Sequence, residues 1–130
     1  MRIGSIKENQ NFEKRIAITP EIIKKYSSLG FEICLSKNYG SHLGITDDEY
    51  SDQGVKFSND DKEILNNSDL IIQLGMLDDD KISLLRENQT FIGVLNPYLN
   101  KEKLESLAKK KINLFSLELL PRITRAQSMD

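Results

Sequence analysis

Three short apolar runs constrain this chain more than any other feature: "DLIIQL" at 69–74, "TFIGVL" at 90–95 and "INLFSL" at 112–117, each bounded by polar or turn residues. Runs of this kind suit strands covered on both faces, because a strand with one wet face alternates apolar and polar residues instead. Between them lie "DDDKISLLRE" (78–87) and "NKEKLESLAKKK" (100–111), whose apolar residues recur at helical spacing. The "DDD" at 78–80 reads as a helix start, where acidic groups meet the favourable end of the dipole. Strands joined by helices pair in parallel, since a parallel pair needs a long crossover.

The N-terminal half repeats the pattern. "RIGSI" (2–6) and "FEICLS" (31–36) read as strands, with the polar connection 7–19 and the helix "PEIIKKYSSL" between them. Thr19 suits the N-cap of that helix and Pro20 its first position, where a missing N–H costs nothing; Gly30 can supply a left-handed stop. "TDDEY" carries a capping-box pattern in Thr46 and Glu49, and "NDDKEILNN" reads as a further short helix. The order strand, helix, strand recurs about five times. The expected fold is α/β: a three-layer, doubly wound, mainly parallel sheet, flavodoxin-like or Rossmann-like, with helices on both faces.

A length of 130 residues fits one domain. A net charge of −2 with 29% charged residues provides neither a basic stripe for nucleic acid nor a polybasic anchor for anionic lipid. The single cysteine, Cys34, cannot form an internal disulfide and is expected to fill core. "MRIGSIKEN" lacks the apolar segment of a signal peptide, and no apolar run approaches the roughly 20 residues of a bilayer helix, so the expected location is cytoplasmic.

Ligands of doubly wound sheets sit beyond the carboxyl ends of the strands, which directs attention to 7–19, 36–46, 74–80, 96–100 and 118–127. A dinucleotide site needs a glycine-rich turn after its first strand, but "IGSIKENQNFEKR" follows here, Gly4 stands inside the strand, and no G-x-G-x-x-G or P-loop occurs. The chain is therefore expected not to hold a dinucleotide by itself. A phospho-receiver reading fails, because Ser5 and Lys7, Gln73 and Gly75, and Pro121 and Arg122 occupy the places of its acidic pair, acceptor aspartate and lysine. No metal site is expected: His42, the only histidine, stands in a loop between Gly40 and Gly44 with no partner at ligand spacing. Asn96 before Pro97 reads either as a turn former or as a cofactor contact. Arg15, beside Glu13 and Lys14, is either a solvated loop charge or a cleft residue. In the closing "PRITRAQSMD", a helix starting near Pro121 puts 123, 127 and 130 on one face, with 122 to one side. Gln127 and Asp130 could then address one ligand; alternatively, Arg122 and Asp130 pair locally and Gln127 is solvated.

"RIGSIKENQNFEKRIAITPEIIKKYSSLGFEI" resembles the opening of the alanine dehydrogenase and pyridine nucleotide transhydrogenase N-terminal domain, and "LELLPRITRAQSMD" is similar to the transhydrogenase alpha-subunit form of its closing segment. The closing motif is the more specific of the two. The resemblance covers essentially the whole chain and implies that 1–130 is the opening portion of a two-domain unit. An NAD-binding Rossmann domain would follow in sequence and the chain would later return, leaving 1–130 alone inactive. It further implies NAD(H) as cofactor, with NADP(H) on a partner subunit, and hydride transfer between them coupled to proton translocation. Implied partners are a second alpha subunit, forming a homodimer, and the NADP(H)-binding and membrane-spanning subunits, which would hold the protein against the inner face of the membrane. Arg122 and Asp130 match residues around the nicotinamide carboxamide, Gln127 matches one reaching toward NADP(H), and Arg15 matches the opening-loop arginine that grips pyruvate in alanine dehydrogenases. Gln73 and Asn96 stand where those enzymes carry a lysine and a histidine. Neither amide can deliver the proton that reductive amination needs, whereas direct hydride transfer between nicotinamides needs none. Two other readings stay open: an alanine dehydrogenase-like domain with altered substrate residues, and a non-catalytic binding or dimer-forming module.

Overall fold

The computed structural model describes residues 1–9 and 14–116. Its elements follow the alternation: β1 (Arg2–Ser5), α1 (Pro20–Ser28), β2 (Glu32–Ser36), α2 (Asp47–Ser51), β3 (Lys56–Ser58), α3 (Asp61–Asn67), β4 (Leu70–Gln73), α4 (Asp79–Ile82), β5 (Thr90–Gly93), α5 (Lys101–Lys109) and β6 (Asn113–Ser116). The strands form one 6-stranded sheet in the order β3-β2-β1-β4-β5-β6. Every pair in it is parallel. This is the Rossmann order rather than the flavodoxin one, and chain direction across the sheet reverses between β1 and β4.

The caps sit where local chemistry puts them. Thr46 and Glu49 close a reciprocal capping box on α2. Thr19 is the N-cap of α1 with Pro20 at its start, although the Thr19 hydroxyl makes no cap bond. Gly30 ends that helix turn at φ +92°, a conformation closed to most side chains. Two expectations need correction. β3, in "KFS", goes unrecognised in the sequence because three residues carry too little pattern; parallel pairing of Cys34 to Lys56, Leu35 to Phe57 and Ser36 to Ser58 makes it a strand. The helix expected over 78–87 is one turn, Asp79–Ile82, after which Leu84 and Leu85 bond back three residues to Lys81 and Ile82 and tighten it shut.

Two cores lie on opposite faces of the sheet. One packs Ile64 and Leu65 of α3, Ile82 of α4 and Leu107 of α5 with Ile71 and Phe91. The other packs Ile18, Ile23 of α1 and Tyr50 of α2 with Ile3, Ile33 and Leu35. Cys34, half-buried, packs against the first, and burial pushes its thiol pKa up, with the Glu63 charge adding to the rise. At the outer edge of the sheet Phe115 of β6 remains 54% exposed.

Gly4 lets α3 approach β1. A Cβ there would lie 1.9 Å from Ser68 Oγ, 2.9 Å from Ser68 Cβ and 3.1 Å from Ile64 Cγ2. Gly4→Ala is therefore expected to destabilise the fold by about 1–3 kcal/mol in urea unfolding. Adding Ser68→Gly, which removes the nearest contacts, should restore part of that loss; strict additivity of the two changes would show that they do not meet.

Candidate functional site

The reversal between β1 and β4 opens a crevice beyond their carboxyl ends, and polar side chains fill its floor. The paired register of these strands is brief, Ile3 to Leu70 and Gly4 to Ile71. Past it, the side chain of Gln73 does what another peptide group would do. Its Oε1 accepts from the Ile6 N–H at 2.6 Å and its Nε2 donates to the Ile6 carbonyl at 3.1 Å. Oε1 also lies 3.1 Å from Ser5 Oγ, and Nε2 donates to Glu8 Oε2 at 3.1 Å. Gln73 is 1% exposed, so these contacts supply nearly all its hydrogen bonding.

Glu8, on the loop after β1, reaches across to the loop after β4. Its Oε2 accepts from the Leu74 N–H at 2.7 Å and its Oε1 from the Gly75 N–H at 3.0 Å. Two successive main-chain donors facing one carboxylate form the kind of concavity that elsewhere receives a ligand oxyanion. Glu8 is itself buried. Above it lies a cavity of about 140 Å³ whose walls include Lys7, Asn9, Met76, Asp78 and Lys81. A neighbouring hollow lined by Leu99, Asn100 and Lys103 shares Glu8, Asn9 and Asp78 with it. A hollow of about 200 Å³ over the β2–β3 edge, floored by Ile33, Cys34 and Phe57, shares no lining residue with the crevice.

A second polar group secures the segment that returns from the β1 loop. The Tyr50 hydroxyl donates to the Ile18 carbonyl at 2.8 Å, and the Tyr39 hydroxyl accepts the Ile18 N–H at 3.3 Å while meeting Ser5 Oγ at 2.7 Å. The two rings meet edge to face, with centroids 5.9 Å apart. Burial pushes the Tyr39 hydroxyl up to about 12 and raises that of Tyr50 as well. His42, in the 3-10 turn Ser41–Leu43, bonds through Nε2 to the Lys14 carbonyl at 2.6 Å; a carbonyl only accepts, so that nitrogen carries the proton.

Of the residues singled out in the sequence, Gln73 is built into this floor. Arg15 is on the exposed surface after the β1 loop. Asn96 takes a left-handed φ of 45° and its carbonyl accepts from Leu99 and Asn100, so it forms the turn before α5. Arg122, Gln127 and Asp130 lie outside the described residues. Glu8 is the residue that sequence reasoning missed; its position in the first loop beyond the strand at the reversal is the signal that could have found it. The described residues do not form a pyrophosphate cradle, because β1 leads into no glycine-rich turn and the donor pair after β4 already holds Glu8.

Removing the Gln73 amide strands both polar groups of Ile6. Gln73→Leu is expected to cost roughly 2–4 kcal/mol in urea unfolding. A loss under about 0.5 kcal/mol would mean that solvent replaces these bonds freely.

Comparison with known proteins places this geometry. The sequence profile of the alanine dehydrogenase/PNT N-terminal domain matches residues 4–130. The first of the separate pieces of NAD(P) transhydrogenase subunit alpha in Rickettsia prowazekii is 37% identical over 134 residues, covering 100% of this chain and 35% of the relative. The corresponding first piece from Rhodospirillum rubrum is 35% identical over 135 residues, with the same coverage. The crystal structure of transhydrogenase from Sinorhizobium meliloti superposes with a TM-score of 0.89 at 32% identity, over 100% of this chain and 39% of that one. The chain thus spans about a third of the length of the curated relatives it matches. Matched from within its first strand to its last residue, this parallel sheet with its Glu8–Gln73 crevice belongs to the alanine dehydrogenase/PNT N-terminal domain family.

Proposed function

We propose that this chain is the N-terminal domain of an NAD(P) transhydrogenase alpha subunit, an oxidoreductase that in its complete form transfers hydride between NADH and NADP⁺ and couples the transfer to proton translocation. The observation that carries the reading is Gln73. An amino-acid dehydrogenase of this family needs a cation or a titratable acid at the crevice; here a neutral amide commits its hydrogen bonds to Ile6, Ser5 and Glu8. Such a group cannot deliver a proton to a carbonyl oxygen. The identity to transhydrogenase alpha subunits supports the same choice.

In this reading the phosphates of NAD(H) are held by a second, Rossmann domain outside residues 1–130, and the first domain contributes orientation and exclusion of water. Arg122, Gln127 and Asp130 would face the nicotinamide, and Arg15 would stand at the edge of the cleft. A homodimer of alpha subunits would work with NADP(H)-binding and membrane-spanning subunits, peripheral to the inner membrane face. Among the described residues no helix is long and apolar enough to cross a membrane, so this reading assigns the spanning segments to other parts of the enzyme.

Two measurements test it. The complete protein should show no NADH-dependent reductive amination of pyruvate with ammonia, yet should transfer hydride from NADH to an NADP⁺ analogue once its NADP(H)-binding partner is added, as followed by absorbance. Robust alanine formation without the partner would favour the alanine dehydrogenase-like reading instead. In the same complete enzyme, Gln127→Asn should slow single-turnover transfer by up to about a hundredfold while NADH affinity hardly changes. Unchanged transfer would assign Gln127 to solvent.

A further inference from the structure

We propose that Glu8 is a specificity-determining residue: an internal carboxylate that fills the oxyanion site of the crevice and keeps small anionic substrates out of it. The inference rests on the functional reading above only in taking the crevice as the substrate side of the domain. Its physical basis is the donor pair after β4. The Leu74 and Gly75 N–H groups converge on Glu8 at 2.7 and 3.0 Å. Lys7 and Lys81 stand on the walls of the same cavity. Two adjacent main-chain donors with cationic walls are the ordinary recognition set for a phosphate or for the carboxylate of a 2-oxo acid. Here the protein supplies that oxyanion itself.

Glu8 is held for this task. Gln73 donates to its Oε2 at 3.1 Å, and Gln73 is fixed in turn by both polar groups of Ile6. The carboxylate is 8% exposed, so an incoming anion cannot share the donors; it has to displace Glu8 against the cost of burying a charge away from its partners. Like charge then adds to steric exclusion. A crevice so filled disfavours pyruvate and free phosphate alike, and admits a neutral group over an anionic one.

Isotope-labelled protein titrated with inorganic phosphate, and separately with pyruvate, tests this through the Leu74 and Gly75 amide resonances. The unaltered chain should give no saturable shift at these amides up to about 50 mM of either anion. Glu8→Ala should acquire saturable shifts at both amides, with binding tighter by roughly tenfold or more, the worth of about one charge-assisted hydrogen bond. If Glu8→Ala loses its native spectrum, Glu8→Gln gives the readout: its amide oxygen can satisfy only one donor well, so the other amide should respond to phosphate. Saturable binding of either anion at these amides in the unaltered chain would overturn the proposal. So would a folded Glu8→Ala, or in its place Glu8→Gln, that binds neither. No nicotinamide nucleotide enters the titration, so its outcome stands apart from the hydride-transfer assays.

Discussion

The join between β1 and β4 is the constraint on which the rest of this domain depends. Chain direction across the sheet reverses there, the crossover helices leave to opposite faces, and the backbone ladder lasts for only two residue pairs, Ile3 to Leu70 and Gly4 to Ile71. Strands that part above their last ladder bond leave N–H and C=O groups facing a gap, and buried peptide groups must find partners. Gln73 answers for Ile6 in both directions, since a primary amide carries the same donor and acceptor as a peptide. Ser5, fully buried, meets the Ile72 carbonyl at 2.7 Å one step lower. The crevice floor is thus a continuation of the sheet by side chains. It is stiff for the reason a sheet is stiff, and it can place Glu8 reproducibly.

The long-range character of these contacts explains what the sequence could and could not disclose. Apolar runs such as "DLIIQL" and "TFIGVL", the Thr46–Glu49 box and the Pro20 start are local signals, and each became the expected element. β3 is only three residues long and is made by its neighbour β2, not by its own pattern. The stretch 78–87 has helical spacing, but its closing residues are consumed in turning toward β5. The site was less legible than the fold. Gln73 was singled out for a chemistry it lacks, yet its actual partners are Ser5, Ile6 and Glu8, more than 60 residues away in sequence. Glu8 looked like one more charge in a polar loop, because nothing within the loop reveals that two N–H groups from another strand end will meet it.

Tyr39 and Tyr50 extend the same logic away from the crevice. Ile18 precedes α1 in a segment outside the sheet, and two buried hydroxyls from 3-10-turn and helix neighbourhoods satisfy its N–H and carbonyl. Their rings add apolar contact to the second core, Tyr50 meeting both Tyr39 and Phe57 edge to face. Phenols suit the position, being large enough to pack and polar at one end only. His42 holds the carbonyl of Lys14 in a similar way. The returning connection is therefore fastened from outside itself, by residues of the β2–α2 region.

The hydroxyl chain has a fixed polarity. Tyr39 accepts from the Ile18 N–H, so its one proton goes to Ser5, and the Ser5 proton goes to the nearer of its acceptors, the Ile72 carbonyl. All the donors point the same way, from Ile18 across β1 toward β4, and the line terminates on a peptide oxygen that has no proton to release. A relay of the Grotthuss kind needs each member to be able to reverse its donor and acceptor roles. With a peptide N–H at one end and a carbonyl at the other, this wire is locked and conducts no protons, so the polar interior beneath the crevice acts as a static dipole.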